Sequence, residues 1–291
     1  MQLRGALMLL GASFFWGTTF VAQMSGMDGL GPFSYAAPRY FVGFLAMLAV
    51  MYLTHKERLK ERRAGKYGRG FLAGIVCGLF LFAATSFQQV AMVYTTAGKA
   101  AFITCLYIIF VPLVSSLLGK KIRTENWIGA FLAITGLYFL AISEEFTVNF
   151  GDFLLLIGAV FWTLQILVID RFAKKVDTID LSTSQVFVTA VLSFAAMMIF
   201  ENPSFDAITS AAFPILYGGV MSSGVAFTLQ IYGQKYAEPS AAAILISFES
   251  IFGALSGRLL LGEVMSGREI FGCVLMFAGI IVTQIRTIAK P

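Results

Sequence analysis

Glu249 is the residue of this 291-residue chain with the clearest chemical potential, because it lies inside the long apolar stretch 240–261. About nine residues into a helix at 1.5 Å per residue, it would sit roughly 13–14 Å deep, near the middle of a bilayer. An ionised carboxylate there costs several kcal/mol unless it is paired, wetted or neutralised. Two readings follow. Glu249 is a proton-coupling group or a counter-charge for a substrate ammonium, or it is a protonated acid that glues its helix to a neighbour by a hydrogen bond. Gly253, Ser256 and Gly257 follow it at i+4, i+7 and i+8, a small-residue stripe suited to close helix packing.

Other polar and aromatic residues at comparable depth form the rest of a candidate site. Trp16 and Trp162 stand about eleven residues into their apolar runs, too deep for an interfacial belt. They are either walls of a small-molecule cavity or packing residues. Thr18, Thr19, Tyr107 and Gln165 are mid-run polar groups that could line such a cavity. Gln88 and Gln230 fall nearer the run ends, where interhelical hydrogen bonding or gating is expected. Arg39, Lys99 and Arg258 lie close enough to one boundary to snorkel. Of the three, Arg39 has a second option, pairing with a substrate carboxylate or phosphate or with Glu249.

Catalytic and metal chemistry have little to work with. The lone histidine, His55, lies in a basic stretch and reads as solvated, and no Cys/His spacing supports a zinc site or a disulfide framework. Cys77, Cys105 and Cys273 all fall within apolar runs, and no phosphate-binding glycine loop follows a strand. No cofactor, metal or enzymatic activity is expected. Nor is nucleic acid, since the basic residues form no continuous face.

The elements that must carry these residues are membrane-spanning helices. The chain is 58% hydrophobic and only 13% charged, with a mean hydropathy of +0.82. Apolar runs at roughly 5–24, 34–54, 70–93, 97–118, 126–143, 150–170, 180–200, 209–232, 240–261 and 268–286 predict ten helices. If the N-terminus is cytoplasmic, 17 of the 21 Lys and Arg residues fall on the inner side, and only Lys99 and Arg268 on the outer. The run Lys56–Arg69, with seven basic residues, reads as a solvated cytoplasmic loop, and binding to anionic lipid is not needed to explain it. The first run is too long for a signal peptide and is read as a retained helix.

The chain also repeats itself. Residues 5–16 match 151–162 at an offset of 146, and 94–118 match 236–260 at 142. At 142, Gln88 falls on Gln230 and Tyr107 on Glu249; at 143, Gly129 and Gly136 fall on Gly272 and Gly279. Five helices per half, an odd number, force the second copy to run upside down, the inverted-repeat plan of many secondary transporters. The halves are read as 1–143 and 150–286, with 287–291 a cytoplasmic tail. The loops agree, Lys120-Lys121 falling inside and their counterparts Gly262-Glu263 outside.

The stretches 12–20, Pro38-Arg39-Tyr40-Phe41, 88–103 and 248–263, with Pro112, resemble the drug/metabolite transporter superfamily in its two-EamA-domain branch. Ser250 departs from the pattern, since many members have proline there. The resemblance implies that helices one, three, four, six, eight and nine surround a central cavity, and that transport proceeds by rocking of helix groups. It implies a small polar or amphipathic metabolite, an amino-acid-like compound for export in particular, with nucleotide sugars or sugar phosphates as alternatives. It places the protein in a bacterial inner (plasma) membrane among lipids and leaves a homodimer open. A non-transporting scaffold or receptor is the rival class.

Overall fold

The computed structural model describes residues 3–63, 65, 70–95, 97–141, 149–261 and 266–288. Lys66, Arg69, Glu144, Glu145, Gly262, Glu263 and Lys290 lie outside the described residues, as do the side chains of Lys99, Arg258 and Arg286. Every regular element among the described residues is helical: α1 Leu3–Gly26, α2 Pro32–Leu53, α3 His55–Arg63, α4 Phe71–Ala91, α5 Ala97–Thr104, α6 Tyr107–Leu117, α7 Thr124–Ala141 and α8 Phe150–Phe172. They continue with α9 Thr178–Phe200, α10 Phe205–Ser210, α11 Ala212–Tyr217, a π-helical segment Gly218–Ala226, α12 Phe227–Gln234, α13 Pro239–Ile246, α14 Glu249–Leu261 and α15 Gly267–Ile288.

Seven helices among the described residues are long and apolar enough to cross a membrane. The other three expected spans are helical but are not among those seven. The run 97–118 is divided between α5 and α6, and α7 and α15 occupy the runs at 126–143 and 268–286. The run at 240–261, expected as one helix, is likewise divided between α13 and α14. The interruptions, Cys105-Leu106 and Ser247-Phe248, are repeat equivalents at offset 142.

The two halves meet through glycine-lined crossings. Helices α7 and α15, equivalent in the repeat, run antiparallel. A Cβ added to Gly136 would lie 2.5 Å from the Gly272 carbonyl oxygen, and one added to Gly129 would lie 2.8 Å from that of Gly279. Helices α2 and α9, also equivalent, run antiparallel too, with Phe33 against Phe200 and Phe44 against Phe187. Gly70, Gly74 and Gly78 of the α4 region lie along Asp180, Ser184 and Val188 of α9, a parallel pair. Gly43 of α2 against Ser223 of the π segment is the matching parallel contact.

The stretch Lys56–Arg69 is not simply a solvated loop. Its first part folds as α3, and Arg58, 9% exposed, binds Asp177 at 3.1 Å and also reaches Asp180, to which Arg62 binds as well. Asp177 is the N-cap of α9, and its side chain accepts from the Asp180 amide. The basic stretch therefore finds its acids at a helix start, where negative charge is already favoured. His55 is exposed, as expected. At the other end of the bundle, Glu201 accepts from the amides of Phe33 and Ser34, at 3.0 and 2.7 Å, at the start of α2.

Candidate functional site

Glu249 is the first residue of α14, not a mid-helix residue, because the helix restarts there after Ser247-Phe248. The turn leading into it stays hydrogen-bonded, the Ser250 amide donating to the Ser247 carbonyl at 3.1 Å and the Phe252 amide to that of Phe248 at 2.9 Å. Gly17 lets α1 lie directly over this turn: a Cβ at Gly17 would come within 2.7 Å of the Glu249 carbonyl oxygen and the Gly253 nitrogen. Ser256 donates to the Gly17 carbonyl at 3.4 Å, so the small-residue stripe packs against α1 as expected.

Tyr107, the first residue of α6, meets Glu249 from the other half. Its hydroxyl donates to Glu249 Oε1 at 3.3 Å. The Cys105 thiol lies 3.8 Å from the same oxygen and 3.5 Å from Ser250 Oγ. The two helix interruptions thus bring the two half-helix starts together, and Cys105 and Ser250 join them.

Glu249 and Tyr107 line a cavity of about 50 Å³ with Trp16, Thr19, Gln23, Arg39, Tyr40, Thr85, Gln88, Gln89, Trp162, Ser222, Phe227 and Gln230. That is room for only about three or four waters. Trp16 and Trp162 share Phe227 as a common partner, with ring centroids 5.1 and 6.5 Å away, and make an aromatic wall. They therefore line the cavity and pack at the same time. Thr19, 2% exposed, donates to the Phe15 carbonyl while facing the cavity.

Several expected positions change. Gln165 does not line the cavity; it is fully buried behind Gln230, and the two amides exchange hydrogen bonds at 3.2–3.3 Å. Gln88 and Gln230, expected nearer the edges, both face the cavity, and Gln88 also accepts from Trp162 Nε1 at 3.3 Å. Thr18 turns away to Tyr217, at 2.8 Å. Arg39 does not snorkel: it is 4% exposed, turned into the bundle, with its guanidinium 4.6 Å from the Tyr40 ring centre and donating to Gln23 at 3.2 Å. Helix α2 therefore joins the six helices expected around the cavity.

Gln23, Gln89, Tyr40, Thr85, Ser222 and Phe227 were not anticipated. One signal existed on α1, where Trp16, Thr19 and Gln23 follow at spacings of three and four and so share a helix face. Ser222 belongs to the π-helical segment, a rare conformation that often marks functional positions.

The sequence profile of the EamA-like transporter family matches residues 3–142 and again 149–285. The chain belongs to the EamA-like transporter family. Members similar to it are described as uncharacterized transporters. One from Archaeoglobus fulgidus is 29% identical over 93% of this chain and 82% of its own length. YoaV of Bacillus subtilis is 22% identical, with 94% of each chain covered. The Escherichia coli inner membrane transporter YedA is 24% identical, covering 97% of this chain and 93% of its own. A crystal structure 21% identical in sequence superposes over the whole of both chains with a TM-score of 0.81, a likeness of fold. The chain is thus an integral membrane protein of a transporter family built from two EamA repeats.

Proposed function

We propose that the chain is an alternating-access exporter of amino-acid-like compounds, with Glu249 as counter-charge to the substrate amine and as the proton-coupling group. The topology we propose is ten spans in two inverted five-helix repeats, 1–143 and 150–286, in a bacterial inner membrane, with both termini cytoplasmic. The observation that carries the reading is the Tyr107–Glu249 contact inside an aromatic- and amide-lined cavity. Among the described residues Glu249 forms no ion pair, so its charge is available to a cationic group or a proton.

The cavity of about 50 Å³ is too small for a metabolite, so loading requires helices to move. The interruptions at 105–106 and 247–248 give both halves a bending point next to Glu249. On the side assigned to the cytoplasm, Lys120 holds Asp170 at 2.8 Å, and Asn126 holds Glu238 at 3.2 Å. Both contacts join the first half to the second, and opening inward would break them.

Counterflow of labelled amino acids in proteoliposomes tests the reading. Exchange above that of protein-free liposomes is expected for at least one of them. Exchange of nucleotide sugars or sugar phosphates alone would replace the substrate class, and no exchange of any solute would favour a scaffold or receptor.

A further inference from the structure

We propose that Arg39 is a carboxylate-receiving subsite of the cavity, so that the substrate carries a free carboxylate as well as an amine. The inference rests on the transport reading above and adds the anionic half of the ligand. A guanidinium within a membrane protein normally snorkels to an interface or pairs with an acid. Arg39 does neither. It is 4% exposed, and it has no ion pair among the described residues. Its Nε is buried without a hydrogen-bond partner, yet the side chain lines the cavity.

The groups around it position Arg39 without neutralising it. Gln23 Nε2 donates to Gln89 Oε1 at 2.6 Å, which leaves the Gln23 carbonyl to accept from Arg39 Nη1 at 3.2 Å. The Tyr40 and Tyr35 rings, 4.6 and 5.4 Å from the guanidinium carbon, stack against it. All three of its partners, Gln23, Tyr40 and Tyr35, are uncharged side chains, so a full positive charge remains on the cavity wall. Gly218 makes room for the side chain, since a Cβ there would lie 3.0 Å from Arg39 Cδ.

Among the described lining residues the only other charged group is Glu249, which is also without an ion pair. One uncompensated cation and one uncompensated anion around a single cavity fit an amphoteric solute. A carboxylate matches a guanidinium in shape and charge. A phosphate monoester would bring nearly two negative charges to a single cation and face Glu249 besides.

Ligand binding can be read from fluorescence excited selectively in tryptophan, in a Trp127→Phe background that leaves Trp16 and Trp162 on the cavity as the only tryptophans. The probes are the proteinogenic amino acids other than tryptophan and tyrosine, each beside its α-carboxamide, and phosphoethanolamine. At least one amino acid should quench saturably, with its amide roughly tenfold or more weaker, the scale of one charged hydrogen bond. Gln23→Glu, which sets a carboxylate beside Arg39, should bring that ratio close to one while amide binding persists. Equal binding of acid and amide, an unchanged ratio in Gln23→Glu, or a preference for phosphoethanolamine would overturn the assignment. Amine counterflow without preference for the acid sinks the Arg39 subsite alone. Neither quenching nor counterflow with any probe sinks the transport reading with it.

Discussion

Tyr107 and Glu249 touch at 3.3 Å and occupy the same position of two repeats, 142 residues apart. Each starts a half-helix after an interruption at equivalent places, Cys105-Leu106 and Ser247-Phe248. The pair therefore lies close to where the two halves are related, and a duplicated frame here carries two different side chains. The second half supplies the carboxyl group, and the first supplies the hydroxyl that donates to it.

Tyr107→Phe should keep the fold and weaken amine binding. The lost hydrogen bond is long, so a cost of about 1 kcal/mol, roughly fivefold in apparent KM, is expected. Initial rates of counterflow against amine concentration measure it. An unchanged KM would show that the hydroxyl does not orient the carboxylate.

The α7–α15 crossing should tolerate no side chain at Gly136. An added methyl would meet the backbone oxygen of Gly272, which cannot turn aside as a side chain would. Gly136→Ala should cost about 1–3 kcal/mol by forcing the helices apart. A lowered melting temperature of the detergent-purified protein checks this, and Gly267→Ala, with open space around it, is the control.

Two ion pairs at the same end of the bundle should differ sharply. Arg58 and its partner Asp177 have side-chain exposures of 10% and 6%, whereas Lys120, bound to Asp170, is 49% exposed. Arg58→Ala strands the buried Asp177, while Asp180 keeps Arg62, and should cost about 3 kcal/mol or more. Lys120→Ala should cost less than about 1 kcal/mol of stability, since solvent screens the pair. Thermal melts of the two variants, compared at low and high salt, separate these outcomes.

Glu201 should behave as a helix cap supplied from the opposite half. It accepts from the Phe33 and Ser34 amides and from the Ser34 hydroxyl at 2.5 Å, at the start of α2. Glu201→Ala should destabilise by about 1–2 kcal/mol. Hydrogen exchange at the first turn of α2 should rise with it, while exchange in α7 stays unchanged.

The sequence made the helices, their repeat and the interior acid Glu249 legible because each rests on a regular signal: apolar run length or a constant offset. The interruptions were not legible. Neither Cys105-Leu106 nor Ser247-Phe248 contains a proline or glycine, and the apolar runs pass through both without a dip. The cavity's polar wall was only half visible, since Arg39 and Gln23 stand near run ends, where depth alone predicts snorkelling. Which way Arg39 turned depended on neighbours from other helices, above all the space left by Gly218. Gln165 failed for the complementary reason: its depth was right, but Gln230 stands between it and the cavity.

The most direct measurement compares wild type and Glu249→Gln in proteoliposomes carrying a labelled amino-acid substrate and an imposed pH gradient. As a proton-coupled exporter, the wild type should move substrate faster toward the more acidic compartment, because protons returning through Glu249 drive the exchange. Glu249→Gln should fold, lose most of the flux and show no response to the gradient. A folded Glu249→Gln protein with wild-type flux and an intact gradient response would contradict the account.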